Sequence, residues 1–182
     1  LKSEIGGIMM KQCLNALIED PKTEIIVLVS KPPAKDVEDQ ILKIAANAGK
    51  PVVVCFIGGD AEKIKKAGLY AAVSLEDAAH KAVALAKGEA VSDFEDFTMG
   101  LEKAEALAAE ERAGMIQGQK YVRGLYTGGT ICDEAMKLLI GSMGHIYSNI
   151  PLKAEDKLEN ARNGKSRENT FLDFGDDEFT VG

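Results

Sequence analysis

The sequence predicts an α/β fold in which a parallel sheet is layered by helices, and three observations carry that prediction. Two apolar runs, Ile25-Ile-Val-Leu-Val29 and Val52-Val-Val-Cys-Phe-Ile57, are rich in β-branched residues and show no polar alternation, as strands covered on both faces require. Segments of helical periodicity alternate with these runs through connections of about two to six residues. Paired glycines stand where a strand or loop passes into a helix, the junction at which α/β proteins build ligand sites.

Taken in order, Met10, Cys13, Leu14, Leu17 and Ile18 share one face of a first helix that ends before Pro21. The strand 25–29 follows, and Pro32-Pro33 breaks it. Val37, Ile41, Ile44, Ala45 and Ala48 mark a second helix, closed by Gly49. Pro51 opens the strand 52–57, which is expected to lie parallel and adjacent to 25–29, both buried on both faces. Gly58-Gly59 turns the chain into a short helix, 61–67. A short edge strand is expected at 69–73, then a helix at 75–87 whose start has Ser74 and Asp77 in capping-box-like spacing. Residues 89–100 are acidic and poorly periodic, 101–111 is an Ala/Glu-rich helical segment of low hydrophobicity, and 89–118 as a whole reads as a linker between a domain at 1–88 and a second α/β unit at 119–182. That unit is expected to hold strands at 121–126, 145–147 and 170–174 and a helix at 131–140. The charged stretch 151–169 between its last two strands reads as a mobile surface loop.

Composition narrows the function classes. A chain of 182 residues with 46% hydrophobic and 28% charged residues is globular. The net charge of −7, unrelieved by any basic run, argues against nucleic-acid binding. No apolar run approaches the roughly 20 residues of a membrane helix, so a soluble, cytoplasmic protein without a membrane partner is expected. The three cysteines, at 13, 55 and 132, have neither metal-ligand nor disulfide-framework spacing. Leu1 in place of Met and the stop after an acidic turn suggest an internal segment of a longer protein.

The candidate ligand-binding residues are glycines at helix starts. Helix N-termini present unpaired N–H groups and a partial positive charge, and glycine lets a ligand approach the backbone. Gly6 and Gly7 precede a helix with no carboxylate in its first turn. Gly58 and Gly59 lie beyond the carboxyl end of the second strand, the usual ligand position of an open α/β sheet. Gly128, Gly129 and Thr130 join the strand 121–126 to the next helix, where Thr130 and Asp133 also have capping-box spacing and where Asp133 and Glu134 in the first turn would oppose a phosphate. Cys132 reads as a buried thiol. The acidic cluster Asp173, Asp176, Asp177 and Glu178 reads as a solvated turn rather than a Mg²⁺ site, so no residue set is assigned to a metal. Asp173-Phe-Gly175 spells a kinase tripeptide without the motifs that would accompany it.

Several of these segments resemble the FdrA family, relatives of the succinyl-CoA synthetase (acyl-CoA ligase) superfamily. Ile5-Gly-Gly, Leu17-Ile-Glu-Asp-Pro21 and Thr23-Glu-Ile-Ile-Val27 are similar to the opening of a ligase-type flavodoxin-like domain, and Lys50-Pro-Val-Val-Val54 with Phe56-Ile-Gly-Gly59 to its second strand and turn. Arg123-Gly-Leu-Tyr-Thr-Gly-Gly-Thr130, Cys132-Asp-Glu-Ala135 and Phe171-Leu-Asp-Phe-Gly-Asp-Asp-Glu-Phe-Thr180 resemble the FdrA branch in particular. The resemblance implies a flavodoxin-like middle domain and the truncated start of a second ligase-type domain, within a multi-domain subunit whose CoA-binding domain lies outside this sequence. It implies CoA and a nucleotide with Mg as cofactors of the full-length protein, none of them expected on this segment alone. It also implies a small-molecule substrate, the remaining domains and partner subunits as partners, and an oligomer.

One departure is specific. Succinyl-CoA synthetases carry a phosphorylated histidine in a Gly-His-Ala-Gly loop after the Phe-Ile-Gly-Gly-type turn, whereas here Gly59 passes through Asp60 into the next helix. His80, inside a helix, and His145, after Gly144, do not replace that loop. A phosphohistidine relay is therefore not expected. Three functions stay open: an acyl-CoA ligase-like subunit binding an anionic acyl, CoA or phosphate-bearing substrate at the glycine-rich helix starts, a subunit of an oxamate carbamoyltransferase assembly in allantoin and purine catabolism, and a non-catalytic assembly scaffold. In each, the segment alone is expected to be inactive.

Overall fold

The computed structural model describes residues 1–95 and 98–181. They form two compact units, Leu1–Phe94 and Glu95–Gly182. Both are mixed α/β, each with a short parallel sheet.

The first unit runs α1 (Ile8–Glu19), β1 (Ile26–Ser30), α2 (Lys35–Ala46), β2 (Val52–Phe56), α3 (Ala61–Lys66), β3 (Tyr70–Ala71) and α4 (Leu75–Lys87). Its sheet has the order β1-β2-β3 and is parallel throughout, with Ile26 opposite Val52 and Ser30 opposite Phe56. β2 is buried along its whole length because helices cover both its faces. Val52, Val54 and Phe56 join Leu14 of α1 and Val37, Ile41 and Ala45 of α2 in one cluster. Val53 and Cys55, pointing the other way, meet Ala78 of α4. Burial of each such valine contributes about 1.5–3 kcal/mol.

β1 departs from the expectation of two buried faces. Ile26 and Leu28 enter the core, but Val27 and Val29 are 40% and 41% exposed. The strand is an edge of the sheet, and the helix on that face, α4, packs over Val53 and Cys55 of β2. The parallel pairing holds; the second covered face does not.

α4 starts as its sequence spacing indicates, with the Ser74 hydroxyl accepting from the Asp77 N–H. The Asp77 carboxylate turns back to accept from the Val73 N–H at 2.9 Å and from the Lys81 ammonium at 2.8 Å. Lys81 also donates to the Ala71 carbonyl at 2.6 Å, which ties α4 to the end of β3. Both ions are buried, so each depends on the other for solvation.

In the second unit, α5 (Leu101–Ala113) has no buried residue among those described. β4 (Arg123–Tyr126), α6 (Gly129–Met143), β5 (Tyr147–Ser148), β6 (Thr170–Asp173) and a last helical turn, α7 (Asp177–Thr180), follow. The sheet order is β4-β6-β5, again all parallel. One face packs on α6 through Cys132, Met136, Ile146 and Phe171. Leu125 points away from that core and is 68% exposed. With Leu172, Leu158 and Ala161 it lines a cleft of about 280 Å³ that Arg123 and Lys165 border. Within the stretch read as a mobile loop, Ala154–Asp156 forms a 3-10 turn, Asp156 is buried, and the Leu158 N–H donates to the Ser148 carbonyl.

Candidate functional site

The glycine pairs differ once their backbones are compared. Gly6 and Gly7 have positive φ, 64° and 59°, and Gly7 is buried. A Cβ at Gly7 would stand 2.6 Å from Val37 Cγ1. Packing of the α1 start against α2 therefore accounts for Gly7 without a ligand. The pair does sit at the carboxyl end of the sheet, where the Ala34 N–H donates to the Leu1 carbonyl.

Gly58, with φ 76°, and Gly59 form a tight turn after β2. The Gly59 N–H donates to the Phe56 carbonyl at 2.6 Å, and a Cβ at Gly59 would meet that oxygen at 2.9 Å. Asp60 occupies the N-cap of α3 and accepts from the Lys63 N–H. The cap takes the place an anion would need, in a helix of only six residues.

At Gly128–Gly129 the opposite holds. Gly128 is the N-cap of the 15-residue α6 and has no side chain with which to cap it. Its φ is −160°, extended backbone open to any residue, and nothing among the described residues lies within 4 Å of a Cβ built there. Gly129 is already helical, which corrects the expected helix start at 131 and with it the capping box: Thr130 lies within the first turn, not at the cap. The expected electrostatic penalty also falls away, because the first turn contains no acid. Asp133 belongs to the next turn and pairs with Lys137 at 2.6 Å.

Neighbouring loops complete this end of the sheet. Asn149, directly after β5, is buried; its amide donates to the Asp173 carbonyl at 3.0 Å and accepts from the Asp173 N–H at 2.9 Å. That pair extends β5–β6 pairing beyond the point where β5 stops. The Asp173 carboxylate accepts from the Gly175 N–H at 2.9 Å, and a Cβ at Gly175 would lie 3.1 Å from the Thr127 carbonyl. The loops after β4 and β6 thus close on one another beside the α6 start. The solvated-turn expectation is corrected for Asp173, which is 5% exposed and committed to its own turn, while Asp176 caps α7 through the Glu178 N–H.

Other candidates fall elsewhere. Cys132 is fully buried behind β4. Tyr126 has its phenol pKa raised, first by burial and then by the charge of the neighbouring Cys132 thiol when ionised. His80 lies on the exposed side of α4, 3.9 Å from Glu76. His145 precedes β5, and its Nδ1 is 2.7 Å from the buried carboxylate of Asp156. Asn149 and Asp156 were not marked by spacing or motif; only the fold brings them to their partners.

Among the described residues no helix is long and apolar enough to cross a membrane. No family model matches the chain. Over all 182 residues it is 42% identical to the Uncharacterized protein YahF of Escherichia coli (strain K12), and it spans 34% of that protein's length. The likeness therefore crosses both units.

Proposed function

We propose that this chain is part of an acyl-CoA ligase-like subunit of the FdrA type, and that its second unit holds an anionic acyl, CoA or phosphate-bearing ligand at the Gly128–Gly129 helix start. In this reading 1–88 is a flavodoxin-like ligase-type domain, 89–118 a linker and 119–182 the start of a second such domain. One observation carries it: a long helix begins at the carboxyl end of a parallel strand with an N-cap glycine, open space at the Cβ position and no acid in its first turn. The N–H groups of Gly129, Thr130 and Ile131 would bind the anion, and the buried Asn149–Asp173 pair would hold the facing loop. CoA or a nucleotide would bring the phosphate, within a longer subunit that contains the remaining domains. The direct passage from Gly59 into α3 supports a reaction without a phosphohistidine. Carbamoyl phosphate is an anion of the same kind, so an oxamate carbamoyltransferase subunit is the alternative chemistry.

A scaffold role has its own supporting observation. Each unit leaves an apolar sheet face open, at Val27 and Val29 and at Leu125, where further domains or subunits would pack.

Gly128→Val tests the ligand site cleanly. Its backbone is extended and its surroundings are open, so valine fits without strain, and the less favourable N-cap is expected to lower the melting temperature by only a few degrees. Phosphate, carbamoyl phosphate and CoA are titrated into the full-length subunit carrying either residue at position 128. A ligand that raises the melting temperature of the wild type and not of Gly128→Val supports the site. Equal shifts in both forms, or none with any of the three, would count against it.

A further inference from the structure

At the amino end of β5, away from the α6 start, His145, Glu155 and Asp156 come together. Their potential ligand atoms all lie within 4.8 Å of one another. The 3-10 turn Ala154–Asp156 presents the two carboxylates in succession, and the His145 ring is placed by stacking on Tyr147 at 6.1 Å between centroids. Asp156 is the anomaly. It is 1% exposed, yet only one of its oxygens is bonded, to His145 Nδ1 at 2.7 Å. The other, Oδ2, is shut off from water and has no hydrogen-bond partner among the described residues. The adjacent Lys157 donates to the Asn149 carbonyl, and among the described residues no lysine or arginine pairs with Asp156. A buried carboxylate left half-satisfied is costly, and divalent metal coordination is one arrangement that removes the cost.

We propose that His145, Glu155 and Asp156 bind a divalent cation of the zinc type. A neutral imidazole and two carboxylates carry the charge that one divalent ion cancels. One nitrogen with two oxygens favours zinc or its transition-metal neighbours over magnesium and calcium, which prefer all-oxygen sets. Tetrahedral coordination at about 2.0–2.2 Å separates donor atoms by roughly 3.4 Å. With Asp156 binding through both oxygens, so that Oδ2 gains the metal as its partner, the His145 Nδ1–Asp156 Oδ1 contact opens by less than about 1 Å, a movement the half-exposed imidazole can make, and water fills the remaining position. Three protein ligands with an open position would suit a site that acts on a bound molecule as well as one that holds the 151–158 segment in place.

The test is a zinc titration of the 182-residue chain against a competing chromophoric chelator. Cys13→Ser serves as the background, because that exposed thiol would itself take zinc. One equivalent is expected to bind, unaffected by millimolar magnesium. His145→Ala and Glu155→Gln, both surface changes, should each weaken it by at least about tenfold, since even outer-sphere partners of a metal are worth that much. His80→Ala should leave it unchanged. Absence of a bound equivalent, displacement by magnesium, or zinc binding that persists in both His145→Ala and Glu155→Gln would overturn the proposal.

Discussion

At the scale of single residues, the molecule's charges are informative where they are buried. Lys81 and Asp77 are 6% and 2% exposed and bridge α4 to the end of β3. Such a pair adds little over well-packed apolar side chains, but breaking it strands an ion. Lys81→Met should therefore destabilise the first unit by about 3 kcal/mol, leaving Asp77, among the described residues, with the Val73 N–H alone and taking the Lys81 donor from the Ala71 carbonyl. Adding Asp77→Asn should recover part of the loss, since the stranded charge is gone. Urea melts of both variants check this, and a double variant no more stable than Lys81→Met would contradict it. The ion pairs of Lys63 with Glu38 and Asp39 are more open to solvent. They raise the Lys63 pKa, through Asp39 first, so their contribution is complete below the unfolded lysine value and fades as pH rises through the folded one.

At the scale of elements, the glycine-marked helix starts separate into packing and binding cases. Gly7 has φ 59° and its missing side chain makes room for Val37. Gly7→Ala is accordingly expected to cost about 2 kcal/mol, from left-handed backbone strain together with overpacking. Adding Val37→Ala should relieve the overpacking and leave the backbone part. If Gly7→Ala melts like the wild type in denaturant, the packing account of this turn is wrong. Element types were legible in the sequence because β-branched runs and 3.6-residue periodicity each serve one local purpose, as in β2 and α2. The uncovered face of β1 was not, because an unbroken apolar run at 25–29 looks the same whether or not its edge position leaves one face open. The α6 cap was misplaced for a related reason: Thr130 and Asp133 fit a capping box by spacing, but the two glycines let the helix begin earlier. Of the candidate site, Gly128 and Gly129 could be read directly, whereas the Asn149–Asp173 and His145–Asp156 partners lie 24 and 11 residues apart and are joined only by tertiary structure.

At the scale of the molecule, two units imply two cores of unequal strength. The first unit joins Leu14, Ile26, Ile41, Val52, Val54, Phe56 and Ile64 in one cluster and adds a second on the far face of β2. The second unit's cluster has Cys132, Met136, Ile146 and Phe171 as its buried members among the described residues, and α5 adds no buried residue. Hydrophobic stabilisation follows buried apolar area, so the second unit should be the weaker. Heating the chain is expected to give two transitions, the second unit melting first by about 5 °C or more, since 1 kcal/mol moves a domain of this size by about that much. Tyrosine signals assign them, because Tyr121, Tyr126 and Tyr147 belong to the second unit and Tyr70 to the first. Near-ultraviolet circular dichroism should therefore fall mostly in the lower transition, while the far-ultraviolet helical signal retains a large part until the upper one. Coincident melting by both probes would show that the units unfold as one, and the difference between their cores would then not govern stability.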